Sequence, residues 1–334
     1  MRLPEYLSPS SLGLWESDRA AFYLKNLADK RPPRIKQEKY MAVGSAFDAY
    51  VKAALYQEAC ETGDTKYEFQ ALFDSQVEPQ NRDWALAAGK YAFDAYVKSG
   101  SYAELLDCIL ASEFPPQFEF SIKKEIYGVP LLGKPDCRYI DMCGSQVVLD
   151  WKCTGFCSKS ATSPYVGYRL VRDGWDVSEA KTSRGCNIGH KLFKPIVQNG
   201  MTIGSHYLEQ TCKDWADQLA IYCWMLGVPV GSEDTVVRIE QLVCKPQENK
   251  FPLIRVANHV CRISKEWQTG LISRICDCWN AITSGHIFKE LSREDSDKQC
   301  ELLEQQAEGM YVNAGSDSLE EWALSKSRVG NYKR

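Results

Sequence analysis

Histidine is scarce in this chain: only His190, His206, His259 and His286 occur, and no two stand at the i, i+4 spacing that puts a metal-binding pair on one helix face. A histidine-built metal site is therefore disfavoured. No Gly-x-x-x-x-Gly-Lys-Ser/Thr loop is present, so the chain carries no nucleotide-driven motor of its own. No stretch approaches ~20 uninterrupted apolar residues, which argues against a membrane span. Met1 to Tyr6 lacks the apolar core of a signal peptide, and the expected location is the cytoplasm. An excess of positive charge is missing as well. With a net charge of −4, any affinity for nucleic acid must come from local patches.

What is present is an ordinary globular composition: 334 residues, 44% hydrophobic and 25% charged, enough for one large domain or two small ones. Fourteen cysteines without a secretory signal point to reduced thiols rather than a disulfide framework. Cys153 and Cys157 have no second pair of ligands nearby, so they read as packing thiols and not as a zinc site.

The first 114 residues read as helical. Ser8 or Ser10 offers a helix cap with Pro9 in the first turn, and Leu12, Trp15 and Phe22 form the apolar side. Met41 to Tyr56 repeats Phe47, Val51 and Leu55 every four residues, and Arg82 to Lys98 sets Trp84, Ala88, Tyr91 and Ala95 on one side. Pro115-Pro116 closes this region. Phe118 to Lys152 then reads as a three-stranded antiparallel meander, with Val129 to Tyr139 as one strand, Asp141 to Ser145 as the turn and Gln146 onward as the return. An irregular insertion spans 158–205. A helix is expected from Tyr207 to Leu226, strands over Thr235–Val243 and Phe251–His259, and a helix over Ser264–Thr283 that stops at Gly285. The chain divides on this reading into residues 1–114, 115–290 and a polar tail, 291–334, of which 312–334 read as mobile or partner-dependent.

The chemistry concentrates in Gly133-Lys134-Pro135-Asp136 and Asp150-Trp151-Lys152. A hairpin brings Asp136 and Asp150 side by side, and strand alternation puts Asp150 and Lys152 on one face with Trp151 on the other. Two converging carboxylates form a hard oxygen site suited to Mg²⁺ or Mn²⁺, with the Trp151 carbonyl free to join them. The plain alternative is that Asp136 and Asp150 form ion pairs with Lys134 and Lys152.

Pro135-Asp136 with Asp150-Trp151-Lys152 resembles the pattern of the PD-(D/E)XK nuclease superfamily. Gln218-Leu219-Ala220-Ile221-Tyr222 looks like the Gln-x-x-x-Tyr helix of its RecB-type exonuclease branch, and Leu7 to Leu12 looks like that branch's first helix. Gly44 to Asp48 stands where those nucleases carry Gly-x-x-x-His, with Asp48 in the histidine's place and Glu125 as a reserve acidic group. The order of these elements, over roughly residues 5–290, is more specific than any single motif. The resemblance implies an α/β (α+β) fold with a restriction-endonuclease-like core, a central mixed sheet flanked by helices. It also implies metal-dependent hydrolysis of DNA phosphodiesters in a bacterial or phage-infected cell. In that reading Asp136, Asp150, the Trp151 carbonyl and Asp48 hold Mg²⁺ or Mn²⁺, Lys152 handles the attacking water, and Gln218 and Tyr222 position DNA and the catalytic residues.

Chains of this kind resemble phage or mobile-element exonucleases that resect duplex ends beside a single-strand-annealing or recombination protein; homo-oligomers occur among them. The alternatives are a CRISPR-adaptation nuclease, a restriction-type or structure-specific endonuclease, or an idle DNA-binding module. Some RecB-type nucleases hold an iron–sulfur cluster through a cysteine near the first helix and three near the C-terminus. Here no cysteine precedes Cys60, and Cys276, Cys278 and Cys300 form no close triplet, so no cluster is expected. For DNA contact, Lys181, Arg184, Lys191 and Lys194 cluster in the insertion, and a second basic run extends from Lys25 to Lys39.

Overall fold

The computed structural model describes residues 1–30, 36–60, 63–155, 168–172, 176–179, 196–198, 201–203, 213–247 and 250–313. The chain begins with helices α1 (Pro9–Ser17), α2 (Arg19–Phe22), α3 (Lys39–Ala59), α4 (Phe69–Gln76), α5 (Arg82–Lys98) and α6 (Ser101–Leu110). Strands β1 (Gln117–Phe118), β2 (Ile122–Ile126), β3 (Val129–Gly133), β4 (Cys137–Ile140) and β5 (Gln146–Thr154) follow. Short strands β6 (Arg169–Arg172), β7 (Asp176–Glu179), β8 (Ile196–Gln198) and β9 (Met201–Ile203) lead to α7 (Lys213–Met225). Strands β10 (Val236–Gln247) and β11 (Lys250–Ile263) and helices α8 (Lys265–Ser284) and α9 (Arg293–Asn313) complete the order. Among the described residues no helix is long and apolar enough to cross a membrane.

The residues fall into two compact units, Met1–Lys36 with Lys123–Leu132 and Leu271–Arg334, and Gln37–Ile122 with Gly133–Gly270. Each unit is assembled from separated stretches, whereas the expected segments 1–114, 115–290 and 291–334 are contiguous. In the first unit Ser8 caps α1: its hydroxyl accepts from the Ser11 amide at 3.2 Å while the Ser11 hydroxyl accepts from the Ser8 amide at 2.8 Å. Leu12 and Trp15 are buried, and the Trp15 ring meets Phe22 edge-on. Leu7 pairs with β3 through its amide to Pro130 and its carbonyl to Leu132, both at 2.8 Å.

Part of the polar tail is helical, and its residues 314–334 lie outside the described residues. Residues Arg293–Asn313 form a helix, seated through Ser296, Cys300, Leu303 and Ala307, with Tyr23 donating to Glu304. Small and weakly apolar residues at helical spacing bury as well as leucines do, but they leave little hydropathy signal.

The second unit is α/β, a mixed central sheet flanked by helices, ordered β1-β4-β5-β10-β11-β6-β7, with β9 also pairing β11 and β8 pairing β9. β4 and β5 are antiparallel, β5 and β10 parallel, and β10 and β11 antiparallel. On one side Phe47, Val51 and Leu55 of α3 pack with Tyr96, Leu105 and Trp151 into the main core.

Several expectations change here. Val129–Tyr139 is two strands, broken at Lys134 to Asp136 because Pro135 has no amide to donate to a ladder. The meander is replaced accordingly: β2 and β3 form a two-stranded sheet of their own, and β1, β4 and β5 belong to the large sheet. The described parts of the 158–205 insertion are strands that extend the sheet beyond β11; α7 is described from Lys213, and the expected helix start at Tyr207 lies outside the described residues. Trp84 is 42% exposed, with the Lys39 ammonium 5.9 Å from its ring centre, so the buried stripe of α5 runs through Ala85, Ala88, Ala92 and Ala95 instead.

Candidate functional site

β5 is the central strand on which the candidate site is built. Its residues Val147 to Trp151 are all buried, and alternation turns Trp151 into the α3 side of the core while Asp150 and Lys152 face α7. The β4 ladder ends at Cys137 opposite Leu149, so from Asp150 onward the β5 edge has no strand neighbour on that side among the described residues. Asp136 fills the gap, and its Oδ2 accepts from the Trp151 amide at 3.2 Å. Since the amide and carbonyl of a strand residue point to the same edge, the Trp151 carbonyl faces the Asp136 side too. Gly133 is required just ahead of this turn, because a Cβ there would lie 2.8 Å from the Tyr222 ring.

On α7, Gln218 and Tyr222 are one turn apart. The Gln218 Nε2 donates to Asp150 Oδ1 and to the Tyr222 hydroxyl, both at 3.1 Å, and its Oε1 accepts from Lys152 Nζ at 2.9 Å. Lys152 Nζ also lies 2.5 Å from Asp150 Oδ2.

A second charge cluster meets this one at Asp136. One carboxylate oxygen from each of Asp48, Glu119 and Asp136 lies within 4.8 Å of the others, a group that could hold a metal ion. The Lys52 ammonium occupies the middle, 2.6 Å from Asp48 Oδ2 and 3.1 Å from Asp136 Oδ1, and also paired with Glu119. Lys52 is fully buried, and its ammonium lies 5.7 Å from the Trp151 ring centre. Glu119 reaches it from a left-handed backbone, φ 49°, a conformation that costs a non-glycine residue on the order of 1 kcal/mol. Its other oxygen pairs with Lys134.

Burial and charge pull these groups apart. Burial pushes Asp48 up to about 7, with Asp136 and Glu119 reinforcing it against the pull of Lys52. Burial likewise raises Asp150 to about 6, although Lys152 opposes it. At Asp136 burial also acts upward, but Lys52 and Lys152 outweigh it and hold the carboxyl below its ordinary range. Burial alone would lower Lys52, yet Asp136, Asp48 and Glu119 keep its ammonium charged far above the ordinary lysine range. Burial takes Tyr222 to about 12, leaving its hydroxyl a neutral partner for Gln218. A cavity of about 280 Å³ opens alongside, lined among others by Tyr40, Gly44, Asp48, Trp151 and Lys152.

The structure thus brings together Asp48, Asp136, Asp150, Trp151, Lys152, Gln218 and Tyr222. Glu125 is exposed on β2 in the first unit, and Glu119 is the acidic residue beside Asp136. Lys181, Arg184, Lys191 and Lys194 lie outside the described residues. Two members escaped the sequence reading. Lys52 was visible as an i+4 partner of Asp48, but such pairs are usually solvated. Glu119 stands where β1 ends, and nothing local announces its turned backbone.

No protein-family profile matches the chain, and no curated protein does. A solved structure described as "Crystal structure of SSO0001" is 10% identical over 81% of this chain and 85% of that chain, at a TM-score of 0.26, too loose a likeness to carry an argument.

Proposed function

We propose that this chain is a metal-dependent deoxyribonuclease of the PD-(D/E)XK type, RecB branch, acting as an exonuclease that resects duplex ends for recombination or repair. The observation that carries the reading is the Gln218 side chain, which holds Asp150 and Lys152 together beside Asp136 at the open edge of β5. An all-oxygen donor set suits Mg²⁺ or Mn²⁺. Asp136, Asp150 and the Trp151 carbonyl would hold the ion, and Asp48 adds a further carboxylate to its surroundings. When bound, such an ion lowers the pKa of a water and offsets charge on the phosphate.

Lys152 supplies what the ion does not. Its ammonium is held by Asp150 and Gln218, and from there it would orient the attacking water or stabilise phosphate charge. Gln218 keeps both charged groups in register and Tyr222 keeps Gln218 in place. A recombination or strand-annealing protein is the expected partner.

The test is incubation with end-labelled linear duplex, closed circular duplex and single strands in Mg²⁺. Degradation of linear DNA alone is expected, and Asp150→Ala and Lys152→Ala should each lower the rate at least ~1,000-fold with the fold intact. Activity that survives a chelator would refute the mechanism.

A second reading is a DNA-binding module that no longer cleaves. It is favoured by Lys52, whose ammonium already neutralises the carboxylates that an ion would need. Binding without cleavage in the same assay would select it.

A further inference from the structure

Lys52 has all the marks of a cation that stays. An ammonium has three donors, and here each meets a different carboxylate, Asp48, Glu119 and Asp136. The side chain has no exposure to water, so leaving this cluster would strand a desolvated charge on one side and three carboxylates on the other. Glu119 is occupied at both oxygens, by Lys52 and by Lys134. The wider charge balance agrees. Asp48, Glu119, Asp136 and Asp150 face Lys52, Lys134 and Lys152, which leaves a single negative charge when all are ionised. One divalent ion would leave the cluster with a single positive charge and two would leave it with three, so the balance favours one.

We propose that Lys52 is a built-in cation of the site, filling one of two cation places, so that a single divalent ion binds on the Asp136–Asp150 side and Asp48 acts through Lys52. The inference rests on the metal-site reading above and names the residue that limits its occupancy. Lys52 is a positioning residue on this view: it fixes Asp136 by neutralising it, and Asp136 with Asp150 would hold the ion.

The experiment counts ions without DNA, so the absence of cleavage would remove the nuclease reading and leave this one to its own result. Calorimetric titration of the full chain with MnCl₂ should give one ion per chain for the wild type. Lys52→Gln, which removes the charge and keeps a polar end, should bind one more than the wild type, and Mn²⁺ should raise its melting temperature more than it raises the wild type's. Lys52→Arg should count as the wild type does. The same number of ions in wild type and Lys52→Gln, whatever that number is, would overturn the proposal. Should Lys52→Gln fail to fold, the wild type decides. In ¹⁵N-lysine-labelled protein the Lys52 ammonium should give a resonance protected from solvent exchange that persists at saturating Mg²⁺; a resonance that is missing, or that disappears on adding Mg²⁺, overturns it.

Discussion

Gln218 contacts three site residues with one amide group: Asp150 and Tyr222 accept from its nitrogen and Lys152 donates to its oxygen. A neutral amide can serve an acid and an ammonium at once, because it carries a donor and an acceptor at opposite corners. Gln218→Ala should therefore leave folding intact but release Lys152 and Asp150 from their common geometry. We expect kcat for cleavage to fall roughly 10–100-fold, less than for loss of Lys152 itself, since misplacement costs less than removal. Gln218→Glu should be worse than Ala, because its carboxylate would face Asp150. Steady-state kinetics with circular dichroism as a folding control checks both.

The elements that carry the site meet through small side chains. α3 turns Ala42, Ala46 and Ala49 inward, and α5 answers with Ala85, Ala88 and Gly89. At Gly89 an added Cβ would come within 2.5 Å of the Ala46 Cβ and 3.0 Å of the α3 backbone at Phe47, neither of which can swing away. Gly89→Ala gains about 1 kcal/mol of helix propensity yet forces apart two helices already in contact. Overpacking should win, with a net loss of ~1–2 kcal/mol read from the urea midpoint. Because α3 also carries Asp48 and Lys52, the same variant should perturb the charge cluster from a position that touches none of it.

For the molecule as a whole, the sheet hides a second buried pair, Arg238 with Glu240 at 2.5 Å on β10, next to β5. Burial pushes Glu240 up to about 7, against the pull of Arg238. The unfolded chain loses this proton near pH ~4.3, so between that pH and about 7 the folded chain binds more protons and stability must fall as pH rises, levelling above. Asp150 and Asp48 act in the same direction and Asp136 in the opposite one. Comparison with Glu240→Gln isolates this residue: wild-type stability relative to the variant should drop by about 3 kcal/mol from pH 4.5 to pH 7.5 in urea unfolding. A flat difference would mean that Arg238 keeps Glu240 ionised throughout.

Sequence by itself determined the features written in neighbouring residues. The i, i+4 step of Gln218 and Tyr222, the alternation of Asp150, Trp151 and Lys152, the Ser8 cap and the apolar face of α3 all follow from local periodicity. Tertiary structure decided the rest. It broke the 129–139 segment at Pro135, gathered α9 through residues too small to show in hydropathy, and set β5 between β4 and β10. Above all it made Lys52 a wholly buried charge among Asp48, Glu119 and Asp136, residues 67 and 84 positions apart from it in two of the three cases. Their meeting depends on which strand ends beside which helix and on one left-handed residue at Glu119, and neither is encoded in any short stretch of chain.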